Sequence, residues 1–192
     1  MGDTRELILD AARRCLLDSG YAGLSTRRIA EAAGVRLGHL HYHFGSKQNL
    51  VLSVLAAENE RLLERQTLLY RDDLPLSKQW EQACDYLVDD LRTGYVRVLH
   101  EMTAAGWSDP EIAAAVGRLL QGWFDLLVEV ATRAEQQLGS LGPFSAAEMA
   151  ALVGDAFLGA ETMLLLGVRE KAVPHLAALR RVGQWIRVLE DG

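Results

Sequence analysis

Apolar positions recur three and four residues apart along almost the whole chain, the spacing of helices with one buried face. In residues 4–19 the stripe is Leu7, Ile8, Ala11, Ala12, Cys15 and Leu16, with Thr4 as a cap and Gly20 as the stop. Between residues 25 and 47 the pattern shortens into two brief runs. Ser25 and Thr26 are N-cap types ahead of Ile29, Ala30 and Ala33, and Gly34 ends that run. The next runs from about Leu37 to His43, with Leu40 and Phe44 spaced to face inward. Its other side carries Arg36, His39, Tyr42 and His43, all hydrogen-bond donors. Two short helices around a tight glycine turn, with donors on the outer face of the second, form a helix-turn-helix pattern suited to the DNA major groove.

The later pattern predicts longer elements. Ser46 can cap a fourth helix over about 47–70, roughly 36 Å long at 1.5 Å per residue. After the loop 71–77 come a fifth helix over about 77–92 and a sixth over about 95–106, divided by Gly94. Ser108 to Glu111 reads as a capping box opening a seventh helix that runs to about 138. Ser145 to Glu148 reads as a second box, opening helix eight over about 146–167; helix nine covers about 174–189 after the break at 167–174. No stretch shows sustained β-branched alternation, so the fold expected is all-α with about nine helices.

Charge sharpens this division. The 192 residues carry a net charge of −6, which by itself argues against a DNA partner. Residues 1–50, however, hold seven Lys/Arg against five Asp/Glu and three of the five histidines, so the acidic excess lies beyond the motif. The expected domains are a helix-turn-helix head over 1–47 and a ligand-binding and dimerisation body over 48–192. Arg5, Arg13 and Arg14 lie mostly off the first helix's stripe and either touch phosphate or face solvent. Cys15 and Cys84 fall on helical stripes and read as buried thiols. Residues 1–7 lack a basic segment leading into an apolar core, and no apolar run reaches about 18 residues, so a cytoplasmic protein without a membrane span is expected.

Residues 5–55 resemble the DNA-binding domain of the TetR family of bacterial transcriptional regulators. The resemblance rests on Ile8 to Ala12, Gly20-Tyr21, Ser25 to Val35, Gly38 to Phe44 and Ser46 to Leu50. It implies an Ω-shaped homodimer, a three-helix head and a larger helical body holding a small-molecule pocket. By position it implies that Ser25 and Thr26 anchor to phosphate and that Arg27 reaches phosphate or a base edge. Leu37, Gly38, His39, Tyr42 and His43 would lie against the major groove, with Lys47 on a phosphate. Two residues depart from the family pattern. Arg36 stands where a small capping residue is usual, which costs a cap but adds a cation for phosphate or guanine. His41 stands where tyrosine is usual and can donate the same bond to phosphate.

His39 and His43, four apart, could ligate a metal, but no Glu lies between them and no third ligand is nearby, so neither metal nor cofactor is expected. Helices eight and nine carry broad apolar surfaces, and helix eight is rich in small residues. They either pack on their own domain or form a two-fold interface; the homodimer is preferred because two-fold pairing on a palindrome multiplies specificity. The expected pocket draws on Trp80, Tyr95, His100, Met102, Trp107, Trp123, Phe124, Phe157 and Glu161, suiting a small apolar or amphipathic effector. The aromatic and methionine residues at such spacing are more often plain core than ligand box, and His100, Glu101 and Glu161 either orient a ligand or face solvent. His100 and Glu101 point about 100° apart on a helix, and no P-loop, dinucleotide or zinc signature is present, so no enzyme is expected. The function expected is a repressor that binds a palindromic operator and is released when an effector displaces helix four. The rival readings are a DNA-binding interaction protein without a pocket, and a helical enzyme.

Overall fold

The computed structural model describes residues 4–71, 73–168 and 171–192. Parts of three sequence expectations lie outside the described residues: the N-terminal residues 1–3, position 72 in the first loop and positions 169–170 in the last break. Among the described residues the chain forms nine α-helices and no strand. They are α1 (Thr4–Ser19), α2 (Thr26–Ala33), α3 (Leu37–Phe44), α4 (Lys47–Arg71) and α5 (Leu76–Thr93). Then follow α6 (Tyr95–Gly106), α7 (Pro110–Leu138), α8 (Ala146–Leu165) and α9 (His175–Glu190). No helix among the described residues is long and apolar enough to cross a membrane.

The helix ends show why the chain breaks where it does. Past α2, Gly34 takes φ 67°; its N–H donates to Glu31 O (3.1 Å) and that of Val35 to Ala30 O (3.0 Å). This is the Schellman arrangement, which a left-handed glycine allows without strain. The same pair of bonds ends α8 two residues earlier than its periodicity suggested, through Gly167 N–H to Leu164 O and Val168 N–H to Met163 O. Ser145 and Glu148 form the expected reciprocal box at the start of α8. Its counterpart at α7 is corrected: Asp109, not Ser108, is the cap. Asp109 Oδ1 accepts from Glu111 N (2.9 Å) and Ile112 N (3.2 Å). Proline then occupies the first helical position, where no N–H is missed.

Packing gathers the chain into two compact units, one of Met1–Arg61 with Arg92–Leu119, the other of Leu62–Leu91 with Leu120–Gly192. In the first, α1, α2 and α3 pack on one another and α6 packs on α1. Ile8, Leu16, Ile29, Leu40, Leu50, Val51 and Met102 are among its fully buried side chains. In the second, Ala83, Cys84, Leu87, Phe157, Ala160 and Leu179 form one buried cluster. Trp80 joins it edge-on to Phe157 and donates its indole N–H to Leu179 O at 2.6 Å. A second cluster gathers Leu69, Tyr70 and Leu126. Burial pushes the Tyr70 hydroxyl up to about 12.

Both thiols are buried and free, and burial pushes Cys84 up to about 11. The thiolate is the reactive form, so at neutral pH iodoacetamide should leave Cys84 unlabelled in the native protein and label it in strong guanidinium, as read by mass spectrometry. Gly94 is the tightest joint in the first unit. It sits at φ 86°, and a Cβ there would lie 2.5 Å from the carbonyl oxygen of Leu17. Gly94→Ala should therefore lower the stability of that unit by about 2 kcal/mol, visible as an earlier loss of helicity in urea.

Candidate nucleic-acid interface

The outward face of α3 is defined by what lies beneath it. Leu40 is wholly buried and Phe44 nearly so. Four residues apart, they point the same way, which turns the intervening donors outward. Gly38, His39, His41 and Tyr42 are exposed, Tyr42 to 85%; Leu37 and His43 are half-buried. Tyr42 meets the edge of the His43 ring at 5.2 Å, and His43 lies tilted 6.4 Å from Phe44, so His43 also braces the helix. His41 Nδ1 lies 3.2 Å from Gly45 O. As an N–H donor it closes the last turn and leaves Nε2 for another partner.

Arg36 precedes α3 in extended conformation (φ −74°, ψ 144°) with no capping bond from its side chain. It is exposed, as are Arg27 and Arg28 on α2. Ser25 holds the cap position of α2 but makes no capping bond either, and Thr26 is half-buried. α3 carries no acidic residue. A Cβ on Gly38 would meet nothing within 4 Å. Glycine inside a helix costs roughly 0.5–1 kcal/mol against alanine, and nothing inside the protein repays that here. The open space suits a partner that must come close to the backbone.

Beneath this surface the turn after α1 is held by charge. Lys47 Nζ donates to Tyr21 O at 2.8 Å and lies 4.4 Å from the centre of the Tyr21 ring. An ammonium has three donors, so two remain for phosphate. Glu101 Oε2 accepts from Tyr21 N at 2.5 Å, and Arg97 Nη2 donates to Leu17 O at 2.5 Å. Glu101 is thus not the free carboxylate that a ligand anchor requires. The arginines of α1 also separate. Arg13 makes a bidentate pair with Glu58 (2.6 and 3.1 Å), which holds its pKa above the ordinary arginine value. Arg13, left open between phosphate and solvent by the sequence, is an internal strut. Arg5 stacks over Phe44 at 5.4 Å, and Arg14 is exposed.

None of the eleven residues expected at DNA is buried: Ser25, Thr26, Arg27, Arg36, Leu37, Gly38, His39, His41, Tyr42, His43 and Lys47 all lie exposed or half-exposed in the first unit. The nine expected at a pocket are divided between the two units, four in the first and five in the second. In the first, Met102 is core and Tyr95 is buried with its hydroxyl donating to Asn59 Oδ1 at 3.2 Å. His100 is half-buried, whereas Trp107 is 83% exposed. In the second unit, Trp80 and Phe157 belong to the buried cluster and Phe124 packs against Gly154, with Glu161 half-buried. Trp123 donates its indole N–H to Gln66 Oε1 at 3.0 Å. The buried Gln66 escaped the sequence reading. Its signal is a polar residue inside the apolar stripe between Leu62 and Leu69. Among the described residues no three His, Cys, Asp or Glu are placed to hold a metal.

Residues 8–54 match the family described as bacterial regulatory proteins, tetR family. The HTH-type transcriptional repressor AcnR of Corynebacterium glutamicum is 40% identical over 62 residues, which cover 32% of this chain and 33% of that protein. The match thus spans about a third of that relative's length. The HTH-type transcriptional regulator UidR of Escherichia coli K12 is 27% identical over 117 residues, 58% of this chain and 56% of that protein. The crystal structure of the transcriptional regulator FadR from Bacillus subtilis, in complex with stearoyl-CoA, has the same all-helical fold. It superposes with a TM-score of 0.73 at 16% identity over 97% of this chain and 98% of that one. Residues 8–54, which carry the exposed donor face of α3, are thus similar to the DNA-binding part of the tetR family of bacterial regulatory proteins.

Proposed function

We propose that this protein is a transcriptional repressor that binds a palindromic operator as a homodimer and leaves it when a small apolar or amphipathic effector binds. The observation that carries the DNA reading is α3 itself. Leu40 and Phe44 are buried while Gly38, His39, His41 and Tyr42 are exposed beside Arg27 and Arg36. Side chains reaching base edges give sequence information, and flanking cations and hydroxyls position the helix on phosphates. In this reading Tyr42, His39 and Arg36 reach base edges or the adjoining backbone. Ser25, Thr26, Arg27, His41 and Lys47 hold phosphates, and Leu37, Gly38 and His43 lie against the groove wall.

The second unit supports the homodimer. Leu152, Leu165 and Leu166 on and just past α8 are exposed, as are Trp185, Val188 and Leu189 on α9. α8 and α9 pack on each other, and large apolar side chains left exposed on such a pair are what an interaction site requires. A second copy is its natural occupant, because a two-fold pair places two α3 helices on two half-sites. Trp80, Trp123, Phe124 and Phe157, with Gln66 as a polar partner, supply the apolar and hydrogen-bonding groups for an effector in the same unit. FadR, whose structure holds stearoyl-CoA, shares the fold. An effector that binds better to a conformation unfit for the operator lowers operator affinity by that difference and no more.

Selection from random-sequence duplex DNA by the purified protein should enrich an inverted repeat with half-site centres about one helical turn, or a multiple of it, apart. Enrichment of no sequence would refute the repressor reading. On the selected operator, Tyr42→Ala and Arg27→Ala should each cost about 1–3 kcal/mol of binding. Both positions are exposed, so thermal stability should stay within about 0.5 kcal/mol. The double variant Trp185→Glu, Val188→Glu should run as a monomer of 21.2 kDa by light scattering, retain its helicity, and lose operator affinity by about 10²-fold or more.

A further inference from the structure

Two charged residues of α6 have no evident task in binding DNA or an effector, yet both are committed to one short segment. Arg97 and Glu101 lie four apart, on one face of α6. Arg97 donates to Leu17 O at 2.5 Å, near the end of α1, and Glu101 accepts from Tyr21 N at 2.5 Å, in the turn that follows. Lys47, at the start of α4, donates to Tyr21 O at 2.8 Å with its ammonium 4.4 Å from the ring centre. Both backbone polar groups of Tyr21 are therefore bonded by charged side chains of opposite sign, one from α6 and one from α4. Hydrogen bonds to charged groups are shorter and stronger than neutral ones.

The approach is close at each end. Gly20 sits at φ 70°, and a Cβ there would lie 2.6 Å from Glu101 Oε1. Gly94, at the head of α6, comes as near to Leu17 O. The clamped turn leads directly into Ser25 and α2, whose packing on α1 sets where α3 points. The three head helices have their own buried contacts at Ile8, Leu16, Ile29 and Leu40, so removal of the clamp frees the turn without dissolving the head.

We infer that Glu101 is a positioning residue for operator recognition: opposite Lys47, it holds the Tyr21 peptide and so sets the angle at which α2 and α3 meet the groove, without touching DNA. This rests on the DNA-binding reading above. A residue acting in this way alters specific binding but removes no phosphate contact. Non-specific affinity and the slope of log affinity against log salt, which counts neutralised phosphates, should then stay at their wild-type values.

The test compares Glu101→Ala and Glu101→Gln with wild type. In the free protein, hydrogen exchange at the Tyr21 amide should quicken at least about tenfold in Glu101→Ala, which loses the bond to a charged acceptor. It should stay near wild type in Glu101→Gln, which keeps an acceptor oxygen, and the amides of Ala12 and Cys15 should be unchanged in both. On the selected operator, Glu101→Ala should lose affinity at least about tenfold at unchanged salt slope, and Glu101→Gln should recover most of it. Unchanged Tyr21 exchange would overturn the clamp whatever DNA does. Unchanged operator affinity, an equal loss on random DNA, or a Gln variant no better than Ala would each overturn the positioning role. Wild-type failure to select an operator would overturn the role together with the repressor reading.

Discussion

The burial of Leu40 and Phe44 is the constraint on which the rest of the outward face of α3 depends. These two side chains fix the rotation of α3 about its own axis. Each contributes roughly 1.5–3 kcal/mol when taken out of water, so a different rotation of this short helix would lose several kcal/mol. One residue of slip would turn the helix by about 100° and carry Tyr42 toward the core. The turn at Gly34 supports the same geometry, because its two carbonyl-capping bonds end α2 abruptly. Arg36 then starts α3 in extended conformation without spending its side chain on a cap. The guanidinium stays exposed, where a partner can use it.

Electrostatics in the first unit divides between cations used inside and cations left at the surface. Arg13, Arg97 and Lys47 bond to Glu58 or to backbone carbonyls. Arg27, Arg28 and Arg36 are exposed around α2 and α3. A chain of net charge −6 can approach a polyanion when such a patch is local, since charges more than about 10 Å away are largely screened at ordinary ionic strength. The acidic excess of the remaining sequence would then bias orientation more than affinity.

In the second unit the small residues prove to have more than one cause. Gly154 is pressed by Phe124, where a Cβ would come within 2.2 Å of the ring, and Gly183 accommodates Trp80. Those two glycines answer to packing inside the unit. Gly159 has nothing within 4 Å of its missing side chain and is exposed, as are Leu152, Trp185 and Val188. Only this outer set is open to contact from outside the unit.

The sequence by itself determined nearly all of the local structure. The nine helices of the described residues, most of their ends within two residues, the turn at Gly34 and the face of α3 follow from spacing and from glycine, serine and proline, because these are short-range matters of backbone sterics and side-chain period. That the eleven positions around α2 and α3 are not buried was legible for the same reason, since exposure on a short helix is set by its own apolar pair. Only the tertiary structure decided the destinies of charged and aromatic residues. Arg13 meets Glu58 across 45 residues, and Glu101 meets Tyr21 across 80. Trp107 stays exposed while Trp123 finds Gln66. Long side chains choose partners brought close by packing, and the helical period says which face a residue occupies but not what lies opposite it.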